Sequence, residues 1–169
     1  MDVSKPAASK GNAGFTLPEV IMAVVITAVA FGGIIMAYTQ SARRAQWSGY
    51  SLAAQALAIQ QIEVTRSCVW DMAIGKNDIT NLPLINKTFS AGTVRGYTTN
   101  YLDLPTTGTN YVRATNYITL TQIQIAVGAP VQLIRVDTVW PFTWGKTNRL
   151  FTNTICTYIA PDNRDNTTF

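Results

Sequence analysis

The sequence contains no histidine, only two cysteines and few charged residues. Without histidine the chain cannot form a Ser-His-Asp triad, a histidine metal site or an imidazole proton shuttle. Two cysteines are too few for a zinc site of four thiolates. Charged residues make up 13 % of the chain, against roughly 25 % in a typical soluble domain. Its nine carboxylates are scattered, and no phosphate-binding loop or G-x-S-x-G motif is present. We therefore expect no catalytic residue, no metal and no cofactor.

The charge balance does not favour nucleic acid as a partner. Thirteen Lys and Arg residues against nine Asp and Glu give a net charge of +4, which is small and spread along the chain. Nucleic-acid surfaces concentrate basic residues on one face or along one helix. The adjacent pair Arg43 and Arg44 is better explained by contact with lipid headgroups, because it follows a long apolar stretch.

That apolar stretch is 23 consecutive residues without a charge, from Val20 to Ala42. A helix that crosses a bilayer needs about 20 mostly apolar residues, so this stretch is long enough to span. It could be a cleavable secretory signal, a plain single-span anchor, or a segment of a precursor that is cut ahead of the helix. Two features disfavour a secretory signal: Glu19 stands at its start, and strong apolarity continues past its small-residue site at Ala30.

Residues 14–20 read G-F-T-L-P-E-V. This segment resembles the class III signal of type IV pilin precursors and of the type II secretion pseudopilins. The resemblance implies that a prepilin peptidase removes residues 1–14 as a leader. It would cut between Gly14 and Phe15 and then methylate the new amino group of Phe15. Glu19 would be the fifth residue of the mature chain and would act in subunit assembly.

The chemistry of Glu19 is compatible with that role. A carboxylate at the margin of a membrane helix is costly unless it is paired. The ammonium group created at Phe15 is four residues away and lies on the same helix face. The same carboxylate could instead pair with the Phe15 amine of the next subunit, which would fix the axial offset between subunits. A third reading needs no partner, because an acid in the first helical turn interacts favourably with the helix dipole.

The remainder of the chain predicts a helix followed by strands. Residues 43–72 are rich in Ala, Leu and Gln, which favour helix. Two rows of residues along this helix, one through Leu52 and Ile59 and one through Leu57 and Val64, predict a broad apolar face that packs on a sheet. A break at Gly49 into two helices is the alternative. After Gly96, alternating apolar residues predict antiparallel strands at 97–104, 111–127, 131–140 and 149–159, with a turn at 141–146.

The expected fold class is therefore α+β and pilin-like: a long N-terminal helix packed on a C-terminal antiparallel sheet. We expect a leader, a membrane or filament-core helix and an extracytoplasmic head made of a helix, a loop, a sheet and a tail. The boundaries are 1–14, 15–42 and 43–169, with the head divided into 43–70, 71–96, 97–160 and 161–169.

Cys68 and Cys156 form a candidate disulfide. A bridge is allowed if the head lies outside the cytoplasm, and it would tie the end of the helix to the last strand. The alternative is two unpaired, buried thiols that behave as small apolar groups.

The resemblance implies a structural subunit of a type IV pilus or a type II secretion pseudopilus. The strand, turn and Thr-rich strand from Val136 to Ala160 are similar to the end of minor pilins and minor pseudopilins, which favours a tip subunit. Implied partners are the lipid bilayer, the prepilin peptidase, other subunits and an assembly platform in the bacterial inner membrane. The rival hypothesis is a single-span, membrane-anchored binding protein that does not polymerise.

Overall fold

The computed structural model describes residues 14–72, 74–104, 111–124, 130–144 and 147–161. The chain divides into two units, one ending at Arg44 and one beginning at Ala45. One continuous helix, α1 (Leu17–Arg66), contributes to both units. The alternative of two helices broken at Gly49 is therefore wrong.

The second unit forms two antiparallel sheets after the helix. The smaller sheet has two short strands and is followed by a 3-10 helix, Asp78–Asn81. The larger sheet has five strands in the order β3-β4-β5-β6-β7. The strands are β1 (Trp70–Asp71), β2 (Lys76–Asn77), β3 (Ile85–Ser90), β4 (Thr93–Tyr101), β5 (Arg113–Ile123), β6 (Val131–Trp144) and β7 (Thr147–Ile159). The predicted α+β class, with the helix packed on an antiparallel sheet, is confirmed.

Small side chains bring the second half of α1 onto the sheet. Its buried residues are spaced three or four apart: Ala54, Ala58, Ile62 and Thr65. Ala58 and Ile62 belong to one core cluster with Ile118, Leu120, Ile134 and Val136, which are at most 2 % exposed. Ala54 belongs to a second cluster with Ala114 and Trp140. Full burial of one such aliphatic side chain contributes about 1.5–3 kcal/mol.

The predicted row through Leu52 and Ile59 does not face the sheet, whereas Leu57 of the other row is partly buried against the core. Leu52 is 64 % exposed, Ile59 47 % and Val64 46 %, so these large residues point away from the sheet. Alanines at 54 and 58 occupy the contact instead, because a small side chain allows the helix backbone closer to the strands than leucine would.

A polar layer connects the helix to three strands inside this apolar interface. The Asn116 amide donates to Thr98 Oγ1 at 3.4 Å and accepts from Thr138 Oγ1 at 2.7 Å. The Thr98 hydroxyl in turn donates to Gln61 Oε1 on α1 at 3.4 Å. Asn116 and Thr138 are almost fully buried. Since unpaired buried polar groups cost free energy, this chain of hydrogen bonds fixes the alignment of the helix on the sheet.

Trp140 is the centre of a second, aromatic contact. Its side chain is fully buried and stacks on Phe151 with the ring centroids 5.2 Å apart. Its indole N–H donates to Asn153 Oδ1 at 2.8 Å, and the Asn153 amide donates to Ser51 Oγ on the helix at 3.0 Å. The last strand is therefore joined to α1 by both packing and hydrogen bonds.

Two predicted boundaries beside the helix are wrong. The helix ends at Arg66 rather than at residue 70, because Trp70 pairs with Asn77 and the Val69 carbonyl accepts the Asp78 N–H at 2.9 Å. The predicted loop 71–96 contains the short sheet, the 3-10 helix, β3 and the start of β4. β3 is an edge strand whose residues are almost all exposed, so it lacks the apolar alternation that marks a strand in a sequence.

The five-stranded sheet therefore spans residues 85–159 rather than 97–160. The predicted turn at 141–146 is also wrong in part, since β6 continues through Pro141 to Trp144. Pairing between β5 and β6 ends at Val139, so Pro141 has a strand neighbour on one side only, the edge-like position in which proline is tolerated. Of the predicted tail, residues 162–169 lie outside the described residues.

We predict that Trp140→Ala lowers the free energy of unfolding of the second unit by about 3–5 kcal/mol, the usual cost of removing a buried tryptophan. Trp144→Ala is the matched control, because Trp144 is 45 % exposed and its loss should cost far less. Denaturant unfolding of the full chain in detergent, followed by near-ultraviolet circular dichroism, measures both. Equal destabilisation by the two variants would contradict the central role of Trp140.

Candidate functional site

The beginning of α1 holds the sequence-predicted processing and assembly residues. Gly14, Phe15 and Thr16 are non-helical and exposed, and the helix begins at Leu17. The Thr16 carbonyl accepts hydrogen bonds from the N–H groups of Glu19 at 3.0 Å and Val20 at 3.2 Å. Thr16 thus stands at the N-cap position, and Thr16-x-x-Glu19 has the spacing of a capping box, a signal that the sequence interpretation missed.

The Gly14–Phe15 peptide is open to solvent in this unit. Among the described residues other than its chain neighbour, no heavy atom comes within 4 Å of a methyl group placed on Gly14, and Phe15 is 83 % exposed. A protease can therefore reach this bond without unwinding the helix that follows it. Residues 1–13 of the predicted leader lie outside the described residues, and the cleavage itself stays a prediction.

Phe15 and Glu19 line one groove along the first half of α1. The groove has a volume of about 530 Å³, and its residues recur at helical spacing. They are Phe15, Glu19, Val20, Ala23, Val24, Thr27, Ala28 and Phe31. The Thr27 hydroxyl donates to the Ala23 carbonyl at 2.7 Å, so its polar group is satisfied within the helix. Glu19 is the one ionisable group among these lining residues, and small residues form the middle of the groove.

Glu19 has no ion-pair partner among the residues that the structure describes in this unit. The first basic residue after it is Arg43, which is 24 residues further along the helix and therefore about 36 Å away at 1.5 Å per residue. The helix dipole favours an acid in the first turn, but by only about 0.3–1 kcal/mol when exposed. The carboxylate is therefore available to a cation from outside the described part of the unit.

The same distance fits a bilayer. About 36 Å separates Glu19 from Arg43, and a hydrocarbon core is about 30 Å thick. By length and composition α1 contains a stretch able to cross a membrane. Both charged ends can then reach the polar interfaces while the exposed apolar side chains between them contact lipid.

The candidate disulfide is not present, and both cysteines are free thiols. Cys68 packs against the same core cluster as Ile155 and Ile159, on the helix side of the sheet. Cys156 is exposed, and because side chains alternate along β7 it lies on the opposite face from Ile155. The sheet therefore separates the two sulfur atoms. Burial, and secondarily the charge of Asp78, raise the pKa of the Cys68 thiol above its ordinary value.

Comparison with known proteins gives a match at the start of the chain. Residues 9–35 match the family model described as the prokaryotic N-terminal methylation motif. The match is consistent with a type IV pilin or pseudopilin precursor and confirms the resemblance seen at residues 14–20. It supports a prepilin-type substrate of a prepilin peptidase, and with the apolar helix it indicates a membrane-anchored protein. No curated protein and no solved structure matches significantly.

We predict that both cysteines of the native chain are free thiols and that Cys156 is alkylated faster than Cys68. Cys68 is partly buried and its raised pKa lowers the fraction of reactive thiolate near pH 8. Its rate should rise as the pH approaches and passes that pKa. Iodoacetamide labelling followed by peptide mass spectrometry measures both rates, with Cys156→Ser to assign the signals. Thiols that appear only after reduction would reveal a bridge and contradict this prediction.

Proposed function

We propose that the chain is the precursor of a filament subunit, stored in a membrane through α1 and assembled after cleavage between Gly14 and Phe15. The observation that carries the proposal is the methylation motif at residues 9–35 placed directly before an apolar helix. The first half of that helix has no covering partner among the described residues of its unit, and it carries one carboxylate, Glu19, in its first turn.

Cleavage would create the cation that Glu19 lacks. The Phe15 nitrogen becomes an ammonium group, four residues from Glu19 and lining the same groove. N-methylation keeps that positive charge while adding a small apolar group. Pairing within one chain would neutralise the end of the helix. Pairing with the amine of a neighbouring chain would in addition fix the axial offset between two helices, because a wrong register leaves a carboxylate unpaired in an apolar setting.

The rest of the groove suits contact between helices. In lipid the hydrophobic effect does not draw apolar helices together, so association depends on close packing, for which small residues are favourable. Ala23, Thr27 and Ala28 provide a shallow centre between the larger Phe15 and Phe31. The residues that contact lipid in storage can therefore contact other helices in a filament.

This function is structural rather than enzymatic, which the motif and the α+β fold both favour. We propose an inner-membrane location with the head outside the cytoplasm, followed by assembly into a type IV pilus or a type II secretion pseudopilus. The assembly platform and other subunits are the proposed partners. The segment from Val136 to Ala160 forms most of β6 and β7. Its similarity to the end of minor pilins and minor pseudopilins supports a minor or tip subunit.

Gly14→Val should block processing, because a branched side chain next to the cut prevents a peptidase specific for glycine from closing on the bond. In cells with a prepilin peptidase, intact-mass analysis of the unaltered chain should give a mature protein that begins with N-methyl-Phe15. The variant should retain residues 1–14. Gly11→Val is the matched control within the leader and should be cleaved normally. An unaltered chain that keeps its leader, or that begins near Phe31, would overturn the proposal.

Glu19→Ala should leave membrane insertion intact and reduce incorporation into filaments at least tenfold, because the apolar span is unchanged while the ion pair is lost. Membrane fractionation and immunoblotting of sheared filaments measure the two properties. Glu63→Ala is the control, since Glu63 is an exposed acid on the same helix and pairs locally with Arg66 at 3.1 Å. Normal incorporation of the Glu19 variant would refute the pairing role and favour a non-polymerising membrane anchor.

A further inference from the structure

The hairpin of β6 and β7 extends beyond the strand next to it. Pairing between β5 and β6 ends at Thr115 and Val139, whereas pairing between β6 and β7 continues to Trp144 and Thr147. Among the described residues, the two strands beyond Val139 pair only with each other. A two-stranded ribbon is marginally stable in water unless another surface packs on it. We call its outer end, residues 143–144 and 147–150, the hairpin tip.

The helix covers the base of this ribbon but leaves the hairpin tip open. Phe142 at the base is buried and packs against Tyr50 of α1, with the ring centroids 5.2 Å apart. Every residue of the hairpin tip is exposed. Two of them are large and apolar, since Trp144 is 45 % exposed and Leu150 is 73 % exposed. The hairpin tip therefore presents a tryptophan and a leucine to the surroundings of the unit.

The charge of this hairpin is positive. The sequence from Thr138 to Ile155 contains Lys146 and Arg149 and no Asp or Glu. Arg149 is exposed, and no ion pair joins it to another described residue. Tryptophan is enriched where a bilayer meets water, and basic residues are attracted to anionic lipid headgroups. The combination of Trp144, Leu150 and Arg149 therefore fits the surface of a membrane.

The hairpin also lies at the end of the unit that is close to the apolar stretch along the chain. Trp47 of α1 packs against Trp140 and Phe151, with ring centroids 6.3 and 6.0 Å apart. Trp47 follows Ala42, the last residue of the uncharged stretch, by five residues, or about 7.5 Å of helix. The polar interface on each side of a bilayer core is about 5–7.5 Å deep. When the stretch spans a bilayer, the rings around Trp47 therefore lie near the headgroups.

We propose that the hairpin tip docks on the surface of the membrane that α1 spans, as a second lipid contact of the stored chain. This inference rests on the proposed function, which places the apolar stretch in a bilayer. Trp144 and Leu150 enter the interfacial region, and Arg149 contacts anionic headgroups. A second copy of the chain is a poorer occupant, because two such tips carry charge of the same sign. Extraction of the chain into a filament then has to release this contact as well.

Fluorescence of a single NBD label on the full chain in vesicles tests the docking. The native cysteines are changed to serine, and Leu150→Cys carries the label. The vesicles contain phosphatidylcholine and phosphatidylglycerol, with or without a lipid that bears a nitroxide at its headgroup. We expect the nitroxide to quench the label and the bilayer to shield it from iodide in the buffer. Tyr158→Cys is the matched control, because Tyr158 is 65 % exposed on the same face of β7, about 26 Å further along the strand. Its label should remain open to iodide.

A third label, at Phe31→Cys, separates this inference from the proposed function. Phe31 lies near the middle of the apolar stretch, so a nitroxide on the lipid acyl chains should quench its label. Quenching there, with a Leu150 label that is open to iodide, would overturn the docking and leave the span intact. No quenching at Phe31 would refute storage in the membrane, and the docking with it. A Leu150 label that is shielded from iodide but not quenched by the lipid would assign the hairpin tip to a protein contact.

Trp144→Ala should reduce the quenching of the Leu150 label, because it removes the aromatic ring that favours the interface. Vesicles of phosphatidylcholine alone should reduce it as well, because they lack the anionic headgroups that attract Arg149. Tyr117→Ala is the control, since Tyr117 is 48 % exposed in the middle of β5, away from the hairpin tip. Unchanged quenching in Trp144→Ala, or an equal loss in Tyr117→Ala, would contradict docking through the hairpin tip.

Discussion

A single carboxylate on an apolar helix, Glu19, which has no ion-pair partner among the described residues of its unit, is the constraint on which the proposed function depends. From Val20 to Tyr38 the exposed surface of α1 is mostly apolar, and the described residues of its unit do not cover it. Such a surface is stable in lipid or against other helices, and Glu19 is tolerated in either setting only near water or a cation. Cleavage at Gly14–Phe15 would supply that cation at the position where the carboxylate needs it.

The second unit does not share this dependence on its surroundings. It has its own apolar core, a polar layer centred on Asn116 and an aromatic contact centred on Trp140. The two halves of α1 therefore have different surroundings. Its first half offers a surface that other molecules must cover, whereas its second half presents Ala54 and Ala58 to the sheet. This division lets the surroundings of the first half change from lipid to protein while the core of the second unit is retained.

The sequence predicts the features that depend on local or strongly periodic signals. The apolar run, the glycine before it and the acid in its first turn are adjacent in the chain, so no tertiary information is needed to find them. The edge strand β3 could not be predicted, because both of its faces are largely exposed and no apolar alternation is therefore imposed on it. One of the two predicted rows on the helix was misplaced because large apolar residues also occur at exposed positions such as Leu52 and Ile59, and composition does not reveal which side meets the sheet.

The alternation of side chains along a strand predicts which residues face the core, and it is a better guide here than the expected pairing of two distant cysteines. Placing Ile155 toward the core already requires Cys156 to point away from it, which argues against a bridge to a cysteine at the end of the helix. The same rule applies to β6. Ile134, Val136 and Trp140 face the core, so Gln132 must face it as well. A polar residue at an inward position is a local conflict in the sequence pattern, and such conflicts are concentrated where function opposes stability. The burial of Gln132 could therefore be predicted from the alternation along β6 alone.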